Sequence, residues 1–242
     1  MSGHSKWATT KRAKGATDAK RAILFTKLAK IITVAARDKG GDPTTNFSLR
    51  LAMDKAKDAN MPKENIERAI KRGAGELEGA VIESMVYEGF GPAGVAVIVK
   101  CLTDNKNRAS QELKHLFSKY GGSLGGPGAV AWQFEHKGVI RLDNEQLTEK
   151  NWDELEMQLI DLGAQDIKKD EELVTIYCAI PDLQKIKKGL EDSGLTVESA
   201  EIEYVSKEKI KVDQETGQKL SEFFEALDEN EDVEDYFTNL SE

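Results

Sequence analysis

Apolar residues in the first third of the chain recur at steps of three and four, the spacing of a helix with one buried face. Leu28, Ile31 and Ala35 continue such a face along 18–39, and the pair of glycines that follows is expected to end the helix. Before it, residues 1–17 are small, polar and cationic without sustained periodicity, which predicts a flexible basic arm.

Two shorter helices are predicted at about 45–59 and 62–73. Asn60 is expected to cap the second of these, Pro62 suits its first turn, and Gly73 is expected to stop it. Three helices joined by brief connections predict a small helical domain over 18–74.

From residue 80 onward the apolar period shortens to two, which is typical of strands. The order β-α-β-β-α-β over 138–205 is the ferredoxin-like signature. Residues 80–137, which end in a strand predicted at 129–135, hold too few elements to close a sheet, so we expect 206–242 to return and complete it. The predicted fold class is α+β with three domains: an N-terminal three-helix domain followed by two α+β (ferredoxin-like) domains, the middle one discontinuous.

Positive charge is concentrated at one end of an acidic chain. Residues 1–40 carry ten Lys or Arg against two Asp, whereas the whole chain has a formal net charge of −9. Such segregation favours a polyanion partner, nucleic acid above all. The residues expected to bind it are Lys6, Trp7, Lys11, Arg12, Lys14, Lys20, Arg21, Lys27, Lys30, Arg37 and Lys39, helped by Lys63, Arg68, Lys71 and Arg72.

Within this set, Lys20, Lys27 and Lys30 are expected to form a stripe that faces solvent on the first helix. Their reversal to Glu is expected to abolish binding without unfolding the protein. Trp7 is expected to stack on an unpaired base. The sequence has no zinc-finger spacing, basic zipper or RNP motif, which favours recognition of shape or backbone over reading of base sequence.

Two loops are further candidate contacts. Asn105, Lys106, Asn107 and Arg108 form either a helix-capping turn or a polar contact loop. The loop 121–128, with Gly121, Gly122, Gly125 and Gly126, lacks the Gly-Lys-Ser/Thr ending of a P-loop and runs from helix to strand, which argues against a nucleotide site. It is expected to be a flexible contact loop or a plain turn.

The acidic stretch from Glu222 to Asp235 has three interpretations: a solubilising face, a surface for a protein partner, or an internal mimic of nucleic acid that shields the basic arm.

No enzyme is indicated, because the histidines are dispersed and the Gly-x-Ser-x-Gly elbow is absent. We expect no cofactor, no metal and no small-molecule substrate. Cys101 and Cys178 lie in apolar runs and are expected to be buried. No apolar run is long enough for a membrane span and the N-terminus does not resemble a signal peptide, so the expected location is cytoplasmic. A scaffold protein is the alternative from another class, and activity that survives neutralisation of the arm would indicate it.

Several segments together resemble the YebC/PmpR family over essentially the whole chain. They include Gly-His-Ser-Lys-Trp at 3–7, Asp-Ala-Lys-Arg at 18–21, Gly-Gly-Asp-Pro at 40–43, Ala-Asn-Met-Pro at 59–62, Tyr-Glu-Gly-Phe-Gly-Pro at 87–92, Leu-Thr-Asp-Asn-Lys-Asn-Arg at 102–108 and the stretch 121–134. The resemblance implies a three-domain α+β protein, cytoplasmic in bacteria and described as a probable DNA-binding transcriptional regulator.

Similar proteins include the mitochondrial translational activator of cytochrome c oxidase subunit I, and bacterial relatives are implicated in relieving stalled ribosomes. The resemblance therefore leaves two partners open: promoter DNA, or ribosomal RNA on the ribosome.

Overall fold

The computed structural model describes residues 18–147, 152–170 and 172–241. They divide into two compact units: the residues up to Phe134 together with those from Ser206 onward, and Glu135–Val205. The first unit contains the helical region and one α+β domain, and the second contains the other α+β domain. The predicted fold class is confirmed, whereas the domain boundaries drawn from the sequence stay predictions.

The described residues form seven α-helices and eight strands in two four-stranded sheets. The helices are α1 (Asp18–Lys39), α2 (Phe47–Asp58), α3 (Lys63–Gly73), α4 (Lys106–Lys119), α5 (Trp152–Leu162), α6 (Leu183–Asp192) and α7 (Gln214–Glu229). The strands are β1 (Glu83–Phe90), β2 (Ala96–Thr103), β3 (Ser123–Leu124), β4 (Phe134–Asp143), β5 (Ala164–Lys169), β6 (Leu173–Cys178), β7 (Val197–Ser206) and β8 (Val233–Thr238). None of these helices is both long and apolar enough to cross a membrane.

One buried asparagine fixes the junction of α1 and α2. The Asn46 Oδ1 accepts a hydrogen bond from the Leu49 N–H at 3.0 Å, and its Nδ2 donates to the carbonyls of Ala35 and Gly40, both at 2.7 Å. The same side chain therefore caps the start of α2 and satisfies carbonyls at the end of α1, where both helices have unpaired backbone groups.

The expected N-cap of the third helix is wrong. Pro62 is the N-cap of α3, whereas Asn60 has a φ of 58° and ends α2 instead. Asparagine tolerates this left-handed conformation better than most residues, which suits it to a helix C-terminus. α3 ends at Gly73 as expected, and the positive φ that follows the helix belongs to Gly75.

The first sheet has the strand order β3-β1-β2-β8, with each neighbouring pair antiparallel. β8 comes from the C-terminal segment and supplies the strand that the middle of the chain lacks. One face of the sheet packs on α4 and α7 around Val97, Val99, Phe117, Phe223 and Leu227, all fully buried. The Phe117 and Phe223 rings meet edge to face with centroids 4.9 Å apart.

The strand expected at 129–135 does not form. Residues Ala131–Gln133 make a short 3₁₀ turn, and β4 begins only at Phe134. The N–H groups of Val130 and Ala131 donate to the carboxylate of Glu88, a distant residue in the sequence, and are therefore not available for a strand ladder.

In the second unit the strand order is β5-β6-β4-β7, with β6 antiparallel to both β4 and β5. This is the ferredoxin-like arrangement that the element order predicts. The paired strands β4 and β7 are linked by Arg141 and Glu203, whose Nη2 and Oε2 atoms are 3.0 Å apart in a two-point contact.

Candidate nucleic-acid interface

The predicted binding residues of the arm lie outside the described residues. These are Lys6, Trp7, Lys11, Arg12 and Lys14, and their contribution stays a prediction. The remaining members of the set are placed by the structure, and they fall into two groups with different surroundings.

The first group is the stripe on α1, which faces the acidic stretch of the chain. At its exposed end the Lys20 Nζ lies 2.8 Å from Oε1 of Glu225 and 3.4 Å from Oε1 of Glu229. The hydrogen bond and charge of Glu225 raise the pKa of Lys20. All three side chains are at least half exposed, so this contact adds little stability.

Further along α1 the contacts become buried. The Lys27 ammonium donates to the Asp228 carbonyl at 2.6 Å, and burial lowers its pKa to about 8. Lys30 donates to the Glu231 carbonyl at 3.0 Å and to the Asp232 carboxylate at 2.6 Å, and its side chain is only 17% exposed. The expectation that this stripe faces solvent is therefore wrong for Lys27 and Lys30. Any role for them in binding nucleic acid stays a prediction.

Asp232 lies at the centre of the contact between α1 and the acidic stretch. Its carboxylate accepts hydrogen bonds from Lys30 on α1, from Arg108 on α4 at 2.8 Å, and from the Thr103 hydroxyl at 3.0 Å. Burial alone would raise the pKa of Asp232, but the hydrogen bonds from Lys30 and Arg108 outweigh it and the pKa is lowered. The same contact raises the pKa of Arg108. One carboxylate thus joins the helical region, the sheet and α4.

The 103–108 loop is a helix-capping turn. The Asn105 side chain accepts from the Arg108 N–H at 3.0 Å at the start of α4, and Lys106 pairs with Glu83 at 2.6 Å. Asn107 is exposed. Because Arg108 binds Asp232 and Lys106 pairs with Glu83, the loop offers fewer unpaired hydrogen-bond donors to a nucleic acid than its sequence indicates.

The second group contains cations at the ends of α1 and α3. Arg21 lies near Asp18 and Lys63 near Glu67, at 3.6 and 3.5 Å. Arg37 bonds Asp38 at 2.9 Å and donates to the Ile82 carbonyl. Among the candidate binding residues within the described part of the chain, four exposed cations form no ion pair: Lys39, Arg68, Lys71 and Arg72, which we term the open edge.

The helices α1 and α3 pack closely where α3 ends. A Cβ on Gly73 would lie 2.3 Å from the Thr33 carbonyl oxygen, so α3 approaches α1 within backbone contact there. The hydroxyl of Thr33 also donates to the Ala69 carbonyl at 3.2 Å. Beside this contact, Arg37 and Arg72 line a cleft of about 590 Å³ closed on its other side by 75–82.

The glycine-rich loop is organised by Glu88, a residue that sequence reasoning missed. The Glu88 carboxylate accepts from the backbone N–H groups of Gly128, Val130 and Ala131 at 2.7–2.8 Å. Its backbone carbonyl accepts from the Gly125 N–H at 2.8 Å. A signal was present in the sequence: a carboxylate directly before Gly89 in an otherwise mainly apolar segment, and a glycine-rich loop whose N–H groups need acceptors.

The predicted glycines of this loop have distinct structural roles. Gly121 adopts a φ of 79°, and a Cβ on Gly122 would lie 2.3 Å from the Phe90 carbonyl oxygen. A Cβ on Gly125 would meet that of Ala129 at 2.7 Å, whereas Gly126 has open space around it. Together with the hydrogen bonds to Glu88, these contacts define the path of the loop, and its role as a contact loop stays a prediction.

Neither cysteine has the character of a reactive thiol. Burial raises the pKa of Cys101 to about 12 and that of Cys178 to about 11, and both side chains are fully buried. Both thiols are therefore protonated at neutral pH and pack as small apolar groups.

Comparison with known proteins gives matches along nearly the whole chain. The family model described as the TACO1/YebC protein N-terminal domain matches residues 5–76, and that of the TACO1/YebC second and third domain matches 82–240. A probable transcriptional regulatory protein of Dehalococcoides mccartyi is 51% identical over 99% of this chain and 94% of its own length. One of Thermotoga maritima is 49% identical with the same two coverages.

The fold also matches a solved structure. The crystal structure of a conserved hypothetical protein from Aquifex aeolicus aligns with a TM-score of 0.82 and 44% identity, covering 93% of this chain and 91% of that one.

Proposed function

Since this chain belongs to the TACO1/YebC family, we propose that it is a non-enzymatic, nucleic-acid-binding regulator of gene expression that works in the cytoplasm. The names of the relatives support regulation. The open edge carries the proposal that regulation acts through nucleic acid, because it keeps exposed cations without internal carboxylate partners on a chain of net charge −9.

In this proposal the arm and the open edge hold phosphates, while Lys27 and Lys30 hold the acidic stretch in place. Arg68 and Lys71 lie three residues apart on α3, so both side chains reach the same side of that helix. Each phosphate that such a cation neutralises releases a counterion, which makes affinity fall as salt rises.

Two nucleic acids remain candidates. Promoter DNA agrees with the names of the relatives. Ribosomal RNA, bound by a ribosome-associated translation factor that relieves stalled translation, is favoured by the lack of any sequence-reading motif in the chain.

The test is a pair of matched charge reversals. Arg68→Glu with Lys71→Glu changes two exposed cations of α3, and Lys185→Glu with Lys188→Glu changes two exposed lysines at the same spacing on α6. Both variants alter the net charge equally. We expect the α3 variant to weaken binding to duplex DNA or structured RNA, and to reduce the slope of log affinity against log salt by about 1.8 for duplex DNA if both contact phosphates.

The control variant should retain the affinity and salt slope of the unmodified chain. Equal losses of affinity in the two variants would mean that net charge alone governs binding. An α3 variant with unchanged affinity would show that Arg68 and Lys71 do not contact the nucleic acid. Reversal of Lys20, Lys27 and Lys30 is not a clean test, because it would place new carboxylates against Asp232 and the carbonyls of Asp228 and Glu231. We therefore expect that variant to lose stability as well.

Ultraviolet crosslinking in cells, with sequencing of the recovered RNA and DNA, separates the two candidates. Discrete promoter peaks that disappear in the α3 variant would identify a transcriptional regulator. Reads concentrated on ribosomal RNA, lost in the same variant, would identify a translation factor.

A further inference from the structure

Trp132 is a large aromatic side chain that the fold leaves 69% exposed. It lies in the 3₁₀ turn Ala131–Gln133, directly after the glycine-rich loop. Single exposed apolar residues are common on protein surfaces, so exposure alone carries no functional argument. The informative observation is that hydrogen bonds hold the exposed indole and its turn in place.

Hydrogen bonds fix the turn on both sides of Trp132. The buried Glu88 carboxylate binds the N–H groups of Val130 and Ala131, the two residues before it. The indole Nε1 donates to the Ala129 carbonyl at 3.3 Å, and the carbonyl of Trp132 itself accepts from the Lys207 ammonium at 2.8 Å. The polar edge of the ring is thus satisfied internally, and most of the remaining ring surface meets solvent.

This arrangement suits a stacking platform. A ring whose position is already fixed loses little conformational entropy when a flat partner stacks on it. Every nucleobase offers a π-face, and stacking on an aromatic side chain does not depend on base sequence. In a duplex those faces are covered by neighbouring bases, so only an unpaired base can use the platform.

The charges beside Trp132 favour a nucleic acid over an apolar protein segment. Lys207, in hydrogen-bond contact with the turn, is exposed, and Lys209 is exposed two residues later. Glu208 lies between them, which leaves 207–209 with a net charge of +1. The acid closest to the loop, Glu88, is buried and committed to backbone N–H groups.

We propose that Trp132 stacks on an unpaired base of single-stranded nucleic acid, with Lys207 beside the adjoining phosphate. This inference rests on the proposed function and specifies what it recognises: a single strand or loop at Trp132, in addition to the phosphates held at the open edge.

The test compares Trp132→Ala, Trp132→Phe and the control Met157→Ala in the full chain. Met157 is a large apolar side chain of similar exposure, 65%, on α5. The probes are a fluorescein-labelled RNA strand of about 20 nucleotides of mixed sequence, the DNA strand of the same sequence, and the RNA annealed to its complement.

We expect Trp132→Ala to weaken single-strand binding about 10-fold, within the range for loss of one stacked base, and to change duplex binding less than about 2-fold. Trp132→Phe should recover most of the loss, since it keeps a stacking ring, and Met157→Ala should bind as the unmodified chain does. A loss on both RNA and DNA strands would show that the base is recognised, and a loss on RNA alone would add a 2′-hydroxyl contact.

Unchanged single-strand binding by Trp132→Ala overturns this inference. If Arg68→Glu with Lys71→Glu still weakens binding in that case, the proposed function stands without the platform. An equal loss in Met157→Ala also overturns it, because exposed apolar area in general would then be responsible. If the unmodified chain binds none of the three probes, the inference fails, and if it also does not bind duplex DNA, the proposed function fails with it.

Discussion

The Glu88 carboxylate takes the place of the backbone carbonyls that would otherwise accept hydrogen bonds from the glycine-rich loop and the turn after it. Glu88 lies in β1 but is only 9% exposed, and its oxygens satisfy three N–H groups of the glycine-rich loop. Burial raises the pKa of Glu88, yet the backbone donors outweigh burial and the pKa is lowered below its ordinary value of 4.5. The charged form is therefore the one that stabilises the fold.

We predict that Glu88→Gln lowers the free energy of unfolding by about 2 to 3 kcal/mol, because charge-assisted hydrogen bonds to buried donors are lost. Glu83→Gln in the same strand is the matched control. Glu83 is half exposed and, within the described part of the chain, forms an ion pair with Lys106 alone, so the change should cost less than about 1 kcal/mol. Urea unfolding near neutral pH measures both.

The pH dependence has a definite sign. A lowered folded-state pKa gives stability that is present above the unfolded value and disappears as pH falls through the folded value. The advantage of the unmodified chain over Glu88→Gln should therefore be full near pH 7 and shrink below about pH 4.5. An advantage that persists unchanged at about pH 2 would contradict the assignment of charge to Glu88.

Single residues were the least predictable level of this structure. Asn46 and Glu88 are buried polar residues, and the burial of each is explained by the acceptors or donors that the fold brings to it. Asn60 was predicted to cap α3 because its residue type suits a cap, but the same type also suits the left-handed end of α2. The two cysteines lay in unmistakably apolar runs and are buried as expected.

At the scale of elements, the packing of α3 on α1 depends on one glycine. Gly73 is the last residue of α3. The absence of a side chain lets the helix backbone approach Thr33 and Ala36 on α1.

We predict opposite effects for the same substitution in two helices. Gly73→Ala should destabilise the protein by about 1 to 3 kcal/mol, since its Cβ would clash with the Thr33 carbonyl oxygen. Gly217→Ala in α7 should stabilise it by about 0.5 to 1 kcal/mol, because nothing lies within 4 Å of the new Cβ. Thermal and urea unfolding of both variants check the pair, and stabilisation by Gly73→Ala would contradict the close packing.

Element type was predictable wherever periodicity was regular, as in α1 and in the β-α-β-β-α-β order of the second unit. What α1 packs against was not. Its cationic side meets an acidic stretch about 200 residues away in the sequence, and charge complementarity over such a separation leaves no local pattern. The strand expected at 129–135 failed for a similar reason, because Glu88 lies outside that segment.

At the scale of the whole molecule, the second unit is an insertion into the first. The chain leaves the first unit at Phe134 and rejoins it at Ser206, and the two crossings are adjacent, with the Lys207 N–H bonded to the Gln133 carbonyl at 2.9 Å. Neighbouring strands β4 and β7 bring the ends of the inserted unit together.

We predict that a fragment of residues 135–205 folds by itself. It contains its own four-stranded sheet and buried residues such as Ile140, Ile176 and Ile186. Circular dichroism of the fragment should show a mixed helix and strand spectrum with cooperative thermal unfolding. The fragment with Ile176→Ala should unfold at a lower temperature in the same assay, because the substitution leaves a cavity in this core. A fragment without a cooperative transition would show that it depends on the first unit.

The pairing of β2 with β8 has a consequence for biosynthesis. While a ribosome is still translating, β2 is already made but its partner is not, and the entire inserted unit emerges before β8 does. During that interval the edge of β2 that later pairs with β8 is unpaired and apolar, and Lys27 and Lys30 lack their partners in the acidic stretch. A polypeptide cut short before β8 therefore exposes both features at once, which makes incomplete copies prone to aggregation and easily distinguished from finished ones by proteases and chaperones.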